Sequence, residues 1–246
     1  MRLTKTLLIT ITLPISFSAF STEDDKESPF TRLTKLGFIY SENTSTSLSI
    51  NSGISIGYKE DDWGQRLQFD TYYTSAEEGE DGTNRYTLNY GITYDLNPKT
   101  YFVAASRFEH DHFGTYRKQS ITMTGLGRNF YDTENIKLQG SAGPGYRISQ
   151  RQAFDEEFPD LENYELIASG TLDGSIAFNE TFSMGTTMTV AYGEENTNYN
   201  VKAYLKNILM GNLALTFDTD YIYNTTVASD QSNNEIYSSM NLNYDF

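Results

Sequence analysis

The sequence predicts an all-β protein, a closed antiparallel transmembrane β-barrel of about twelve strands. Three observations carry that prediction: two-residue alternation of apolar and polar side chains along most of the chain, short turns alternating with longer acidic loops, and a last segment whose alternate positions are apolar up to Phe246. Alternation with period two sets one face of a strand in an apolar medium and the other in a polar one. In a membrane barrel these faces meet lipid and lumen, so the average composition looks soluble. The mean hydropathy of −0.52 excludes a bundle of membrane helices.

The elements follow in chain order. Arg2 and Lys5 precede the apolar run from Leu7 to Ile15, and small residues Ser16, Ser18, Ala19 and Ser21 follow. That is the order of a secretory signal. Cleavage is expected after Ser21, with Ser18 as the competing site. A membrane anchor is disfavoured because the run falls short of the roughly 20 apolar residues a helical span needs and Pro14 interrupts it. Residues 22–32 are then read as a periplasmic segment and 33–246 as the barrel.

Strands are expected near 33–42, 46–59, 64–76, 84–95, 99–110, 115–128, 134–149, 163–177, 181–193, 198–208, 212–226 and 235–246. The segment 85–95 sets Tyr86, Leu88, Tyr90, Ile92 and Tyr94 against Arg85, Thr87, Asn89, Gly91, Thr93 and Asp95 without a lapse. In 48–59 only Ser52 breaks the pattern, and 136–149 sets Ile136, Leu138, Ala142, Pro144, Tyr146 and Ile148 against Lys137, Gln139, Ser141, Gly143, Gly145, Arg147 and Ser149. Around 101–110 the faces stay ambiguous, Tyr101, Val103 and Ala105 competing with Phe102, Ala104 and Phe108. Most segments are longer than the roughly 5–6 residues usual in a soluble sandwich and near the roughly 9–11 that cross a bilayer.

Short connections such as Lys59-Glu60-Asp61-Asp62, Asn179-Glu180 and Met210-Gly211-Asn212 alternate with acidic ones, Glu77 to Gly82, Phe154 to Glu162 and Gly193 to Asn196. Short periplasmic turns with longer external loops are the barrel pattern. The 19 Tyr and 15 Phe many of which fall near strand ends, suit interfacial girdles. The last segment, Met240, Leu242, Tyr244 and Phe246 on one face, resembles the terminal strand read by the outer-membrane assembly machinery.

Chemistry is sparse. With no cysteine in the chain, thiolate metal sites and Cys nucleophiles are excluded. A net charge of −15 argues against nucleic acid. Both histidines lie in Glu109-His110-Asp111-His112, residue types that bind divalent metal, yet no third fixed ligand is identifiable. Ser106 and Ser120 could lie near the histidines on neighbouring strands, without a motif that joins them into a triad. No catalytic, metal or cofactor site is therefore assigned. The expected lumen-lining residues are Lys59, Arg66, Asp70, Arg85, Lys137, Arg147, Lys202, Lys206, Asp218 and Asp220. Charges of both signs either line a narrow pore or cross-link it shut. Pro144, between Gly143 and Gly145, marks a bulge or a local gap in the wall. The acidic loops offer oxygen ligands for divalent cations shared with lipopolysaccharide phosphates, though none has a calcium-binding pattern.

Ala105-Ser106-Arg107-Phe108-Glu109-His110-Asp111, Gly125-Leu126-Gly127-Arg128 and Gly140-Ser141-Ala142-Gly143-Pro144-Gly145-Tyr146-Arg147 resemble the domain-of-unknown-function 481 family, which includes the YdiY-like salt-induced outer membrane proteins. Weaker similarity runs from about residue 36 to the C-terminus. The resemblance implies a barrel and an outer-membrane location, and brings no reaction, ligand or cofactor with it.

The functional expectation is a non-enzymatic outer-membrane barrel, either a narrow channel for small solutes or an envelope structural or stress-response protein. Its expected partners are outer-membrane lipid, lipopolysaccharide and, through the strand ending at Phe246, the assembly machinery. Two alternatives stand beside it: an enzyme acting on lipid or peptide through His110 or His112, and a surface receptor or adhesin using the acidic loop 155–162.

Overall fold

The computed structural model describes residues 29–42, 46–76, 83–112, 115–152, 161–227 and 232–245. The expected signal peptide, most of the segment before the barrel, the acidic stretches 77–82 and 154–160, and Phe246 lie outside the described residues. Twelve strands account for nearly all of the rest: β1 Phe30–Glu42, β2 Thr46–Glu60, β3 Trp63–Ala76, β4 Thr83–Asn97, β5 Thr100–Asp111, β6 Tyr116–Asp132, β7 Ile136–Arg151, β8 Glu162–Ala177, β9 Phe182–Tyr192, β10 Thr197–Met210, β11 Leu213–Asn224 and β12 Asn234–Asp245. The main departures from the sequence reading are β1, which starts at Phe30 rather than near 33, and β6, which runs to Asp132 rather than 128.

Each strand pairs antiparallel with its sequence neighbours, and β1 pairs with β12, closing the sheet. Closure matters because an open edge would leave unpaired backbone groups in hydrocarbon. The closing seam, Leu33–Gly37 against Asn241–Asp245, is the shortest ladder among the described residues. One rim carries the tight turns. There Asp61 (φ 49°) and Gly211 (φ 52°) take left-handed conformations, which allow a reversal in very few residues.

The molecule is inside out relative to a soluble protein. Leu36, Ile54, Ile56, Leu67, Phe69, Leu88, Leu126, Met188, Phe217 and Leu242 are exposed, and Leu166 is 81% exposed. Arg85, Asp111, Arg147, Asn200, Thr216 and Asn241 are buried. Rings gather at both ends of the outer wall. At the tight-turn rim Phe30 packs on Tyr58, Trp63 on Tyr94 and Phe178 on Phe182; at the other, Tyr199 packs on Tyr223. From Trp63 to Tyr73 the strand advances roughly 33 Å, or about 25 Å along the axis at the usual tilt, the height of an outer-membrane apolar band. An apolar wall of that height between two aromatic girdles is the surface of a membrane-spanning barrel.

The structure decides the two readings left open in the wall. Register sets Arg85 opposite Asp111, Asn89 opposite Arg107 and Thr93 opposite Val103, so Tyr101, Val103 and Ala105 face inward with Arg107 and Glu109. Tyr101, Val103, Met123 and Ala105 form a small apolar patch inside the barrel. At Pro144 there is no bulge. The β6–β7 pairing stops between Met123–Gly145 and Leu126–Ala142 and resumes in the same register, because proline has no N–H to give to β6. The backbones close in at that gap: a Cβ on Gly143 would overlap the Thr124 carbonyl and the Gly125 Cα. Gly143→Val is therefore expected to lose the folded, heat-modifiable band on gels. Gly91→Val keeps it, because a Cβ there meets nothing within 4 Å.

Candidate functional site

The inward face of an alternating strand is where charges in a membrane barrel collect, and here those charges meet across the barrel. Arg85 on β4 is the centre. Its guanidinium donates to Glu109 on β5 at 2.7 Å and to Asp220 on β11 at 3.4 Å, and it stacks 4.7 Å from the Tyr237 ring centroid on β12. In the closed order β11 is five strand steps from β4, so the Arg85–Asp220 contact spans the lumen rather than running along the wall.

Neighbouring groups widen the bridge. Asp220 also accepts from Asn200 at 2.5 Å and lies 3.9 Å from Lys202, both on β10, while Glu109 accepts a second bond from Arg107. The Tyr237 hydroxyl donates to Asp111 at 3.1 Å, and its ring meets Tyr72 of β3 edge-on at 5.6 Å. Thr115, just before β6, donates through its hydroxyl to Glu235 of β12 at 3.0 Å. The space left between Glu109, Asp111, Tyr116, Asn198, Asn224 and Glu235 is about 10 Å³, room for roughly one water. Charges so enclosed stand only because each meets an opposite charge or hydrogen-bond partner, since an uncompensated buried ion costs several kcal/mol.

All ten residues expected in the lumen share the inward register with Arg85. They form three groups. Arg85, Lys202 and Asp220 belong to the cross-lumen bridge. Asp70 pairs with Lys35 of β1 at 3.0 Å, Asp218 accepts from Asn241 and Thr216, and Arg147 binds Glu165. Nearer the tight-turn rim Lys59 pairs with Asp95 at 3.0 Å, while Arg66, Lys137 and Lys206 enter no ion pair among the described residues. The sequence reading missed Lys35, Arg107, Glu109, Glu165, Glu235 and Tyr237. Parity from Arg85 could have found Arg107 and Glu109, had the faces of β5 been known.

Arg147 makes a second, separate clamp. It is 1% exposed and donates to Glu165 at 2.9 Å, to the Ala191 carbonyl at 3.4 Å and to the Asn196 carbonyl. Asn196 in turn binds Asn224, Thr225 and Thr226. One guanidinium from β7 thus holds the β9–β10 turn against the mouth of the barrel.

The Glu109-His110-Asp111-His112 run does not converge. Glu109 and Asp111 point into the lumen, whereas His110 lies on the outer wall, stacked on Tyr86 with ring centroids 4.8 Å apart and 4° between planes. No group of three or more metal-binding side chains occurs among the described residues. Ser106 bonds Thr122 at 3.0 Å on the outer face, and Ser120 sits opposite Phe108.

A family described as "Protein of unknown function, DUF481" matches residues 34–246, a span that begins inside β1 and takes in every later strand. The chain belongs to the DUF481 family. A search of curated proteins found no match. Among solved structures, this DUF481 barrel is similar to the translocator domain of autotransporter NalP from Neisseria meningitidis, at 12% identity, 87% of each chain and TM-score 0.46. It is also similar to the NanC porin, at 9% identity, 87% of this chain, 97% of the other and TM-score 0.49. An outer membrane channel from Pseudomonas putida F1 aligns at 10% identity, 88% of this chain, 93% of the other and TM-score 0.47. At such identities and scores nothing about solute or mechanism passes from them to the DUF481 chain.

Proposed function

We propose that this chain is a non-enzymatic outer-membrane barrel that forms a narrow polar passage for small solutes, constricted by the cross-lumen contacts of Arg85. The carrying observation is the Arg85–Asp220 bridge between opposite walls at 3.4 Å. The apolar outer wall and its two aromatic girdles support the membrane location. Toward the tight-turn rim the interior is less filled: Arg66 and Lys137 are exposed, and Gly91 faces open space. The passage is therefore read as a vestibule on that side leading to a latch near the other. Charge of both signs at the latch favours weak selectivity between small ions, because neither sign dominates the constriction.

Planar-bilayer recording of the refolded mature protein tests this, with heat-modifiable migration confirming the folded barrel. The expected result is small, steady unitary steps with weak ion selectivity. A folded, inserted barrel that never conducts would replace the passage with a sealed, structural barrel.

A further inference from the structure

The outer wall carries a feature that the lumen reading leaves unused. Register sets Tyr86, His110, Lys118 and Gln150 side by side across β4, β5, β6 and β7, all on the outward face and near the rim opposite the tight turns. Arg117 lies next to Lys118 at a register shift in β6. Both basic side chains are exposed and enter no ion pair among the described residues, and His110 buries an Nδ1 with no hydrogen-bond partner. In a chain of net charge −15 the exposed Arg117–Lys118 pair is a local concentration of unpaired cationic donors. The acid next in the row, Glu162, pairs with Gln150 and accepts from the Tyr164 hydroxyl at 2.6 Å.

The wall beneath the row is also unusual. Between Lys118 and Leu126, β6 presents only Ser120, Thr122 and Thr124 outward. Ala104, Ser106, Ala142 and Pro144 continue the small surface on the neighbouring strands, while Phe108 and Ile148 beside Ser120 and Tyr146 beside Thr122 form its banks. Small side chains leave a shallow trough in the lipid-facing surface, running from Lys118 toward mid-membrane. The Ser106–Thr122 bond removes part of the cost of placing hydroxyls there.

We infer that the Arg117–Lys118 row and the trough below it bind an anionic glycolipid of the outer leaflet, phosphate on the basic side chains and acyl chain along β6. Depth supports this occupant: Lys118 shares a row with Tyr86, and girdle tyrosines sit at headgroup level, the depth of a lipid phosphate. The inference rests on the membrane reading of the barrel.

Diphosphoryl lipid A, titrated into the refolded full-length mature barrel in detergent with a chelator present, is the probe, and native mass spectrometry reads bound lipid. The wild type is expected to retain it. Arg117→Gln/Lys118→Gln binds at least tenfold more weakly, since each basic side chain near an anionic surface contributes roughly fivefold. Arg117→Lys/Lys118→Arg keeps the affinity, and dephosphorylated lipid A binds the wild type as weakly as diphosphoryl lipid A binds the Gln variant. Equal binding by the wild type and the Gln variant, equal binding of the dephosphorylated lipid, or no binding by the wild type while the chelator is present would each overturn the site. Heat-modifiable migration separates the two readings: a barrel that folds and inserts but shows no phosphate preference sinks this inference and leaves the membrane reading standing.

Discussion

Arg85→Ala is expected to raise unitary conductance severalfold while leaving the barrel folded. The guanidinium is the group that touches β5, β11 and β12 together, so truncation to a methyl group removes the cross-lumen tie and the side chain that carries it. The carboxylates it leaves behind keep cationic neighbours: Arg107 stays on Glu109 and Lys202 stays within 3.9 Å of Asp220. The penalty for an orphaned buried charge is thereby limited, which makes the variant a probe of the passage rather than of stability. Asp220→Asn tests the same bridge from the other side. If the two act through one contact, their effects on conductance are not additive. A shift in selectivity toward cations is also expected, because Arg85→Ala leaves Glu109, Asp111, Asp220 and Glu235 around an emptier lumen. Identical single-channel records for Arg85→Ala and wild type would show that the constriction lies elsewhere.

Arg147→Met is expected to destabilise the barrel by about 3–5 kcal/mol, the usual consequence of breaking a buried pair from one side. The loss is large because this side chain is 1% exposed and its removal leaves Glu165 without its cation and the Ala191 and Asn196 carbonyls without their donor. Urea unfolding in lipid vesicles, followed by the heat-modifiable band, measures it. The double variant Arg147→Met/Glu165→Gln recovers much of the loss, since the uncompensated charge is then gone. Limited proteolysis supplies a second reading: cleavage at the β9–β10 turn is expected in Arg147→Met and absent from wild type, as the turn is held through Asn196. An unfolding midpoint within error of wild type would show that the Asn196 contacts to Asn224, Thr225 and Thr226 hold the mouth without Arg147.

The two residues look alike in sequence, each a basic position in an alternating strand. Their roles differ through partners that local pattern cannot display. Arg85 lies 135 residues from Asp220, and only the order of strands around the barrel brings them together. Arg147 reaches Asn196, 49 residues on, across β8 and β9.

The sequence by itself determined the closed β architecture, the strand count and the alternation of most strands. The physical reason is that lipid on one side and a polar lumen on the other impose a period of two that survives in the residues themselves. It also placed ten charges on the inward parity. It did not resolve β5, where Ala and aromatic side chains stand on both faces, so alternation put His110 and His112 on one side of Glu109-His110-Asp111-His112 without saying whether that side met lumen or lipid. Register from β4 decides that face, because Arg85 opposite Asp111 leaves His110 beside Tyr86 on the outside. Whether inward charges line a pore or bridge it was beyond the sequence for a related reason: pairing across a lumen depends on which walls face each other and how closely, and that is set by closure of the whole sheet.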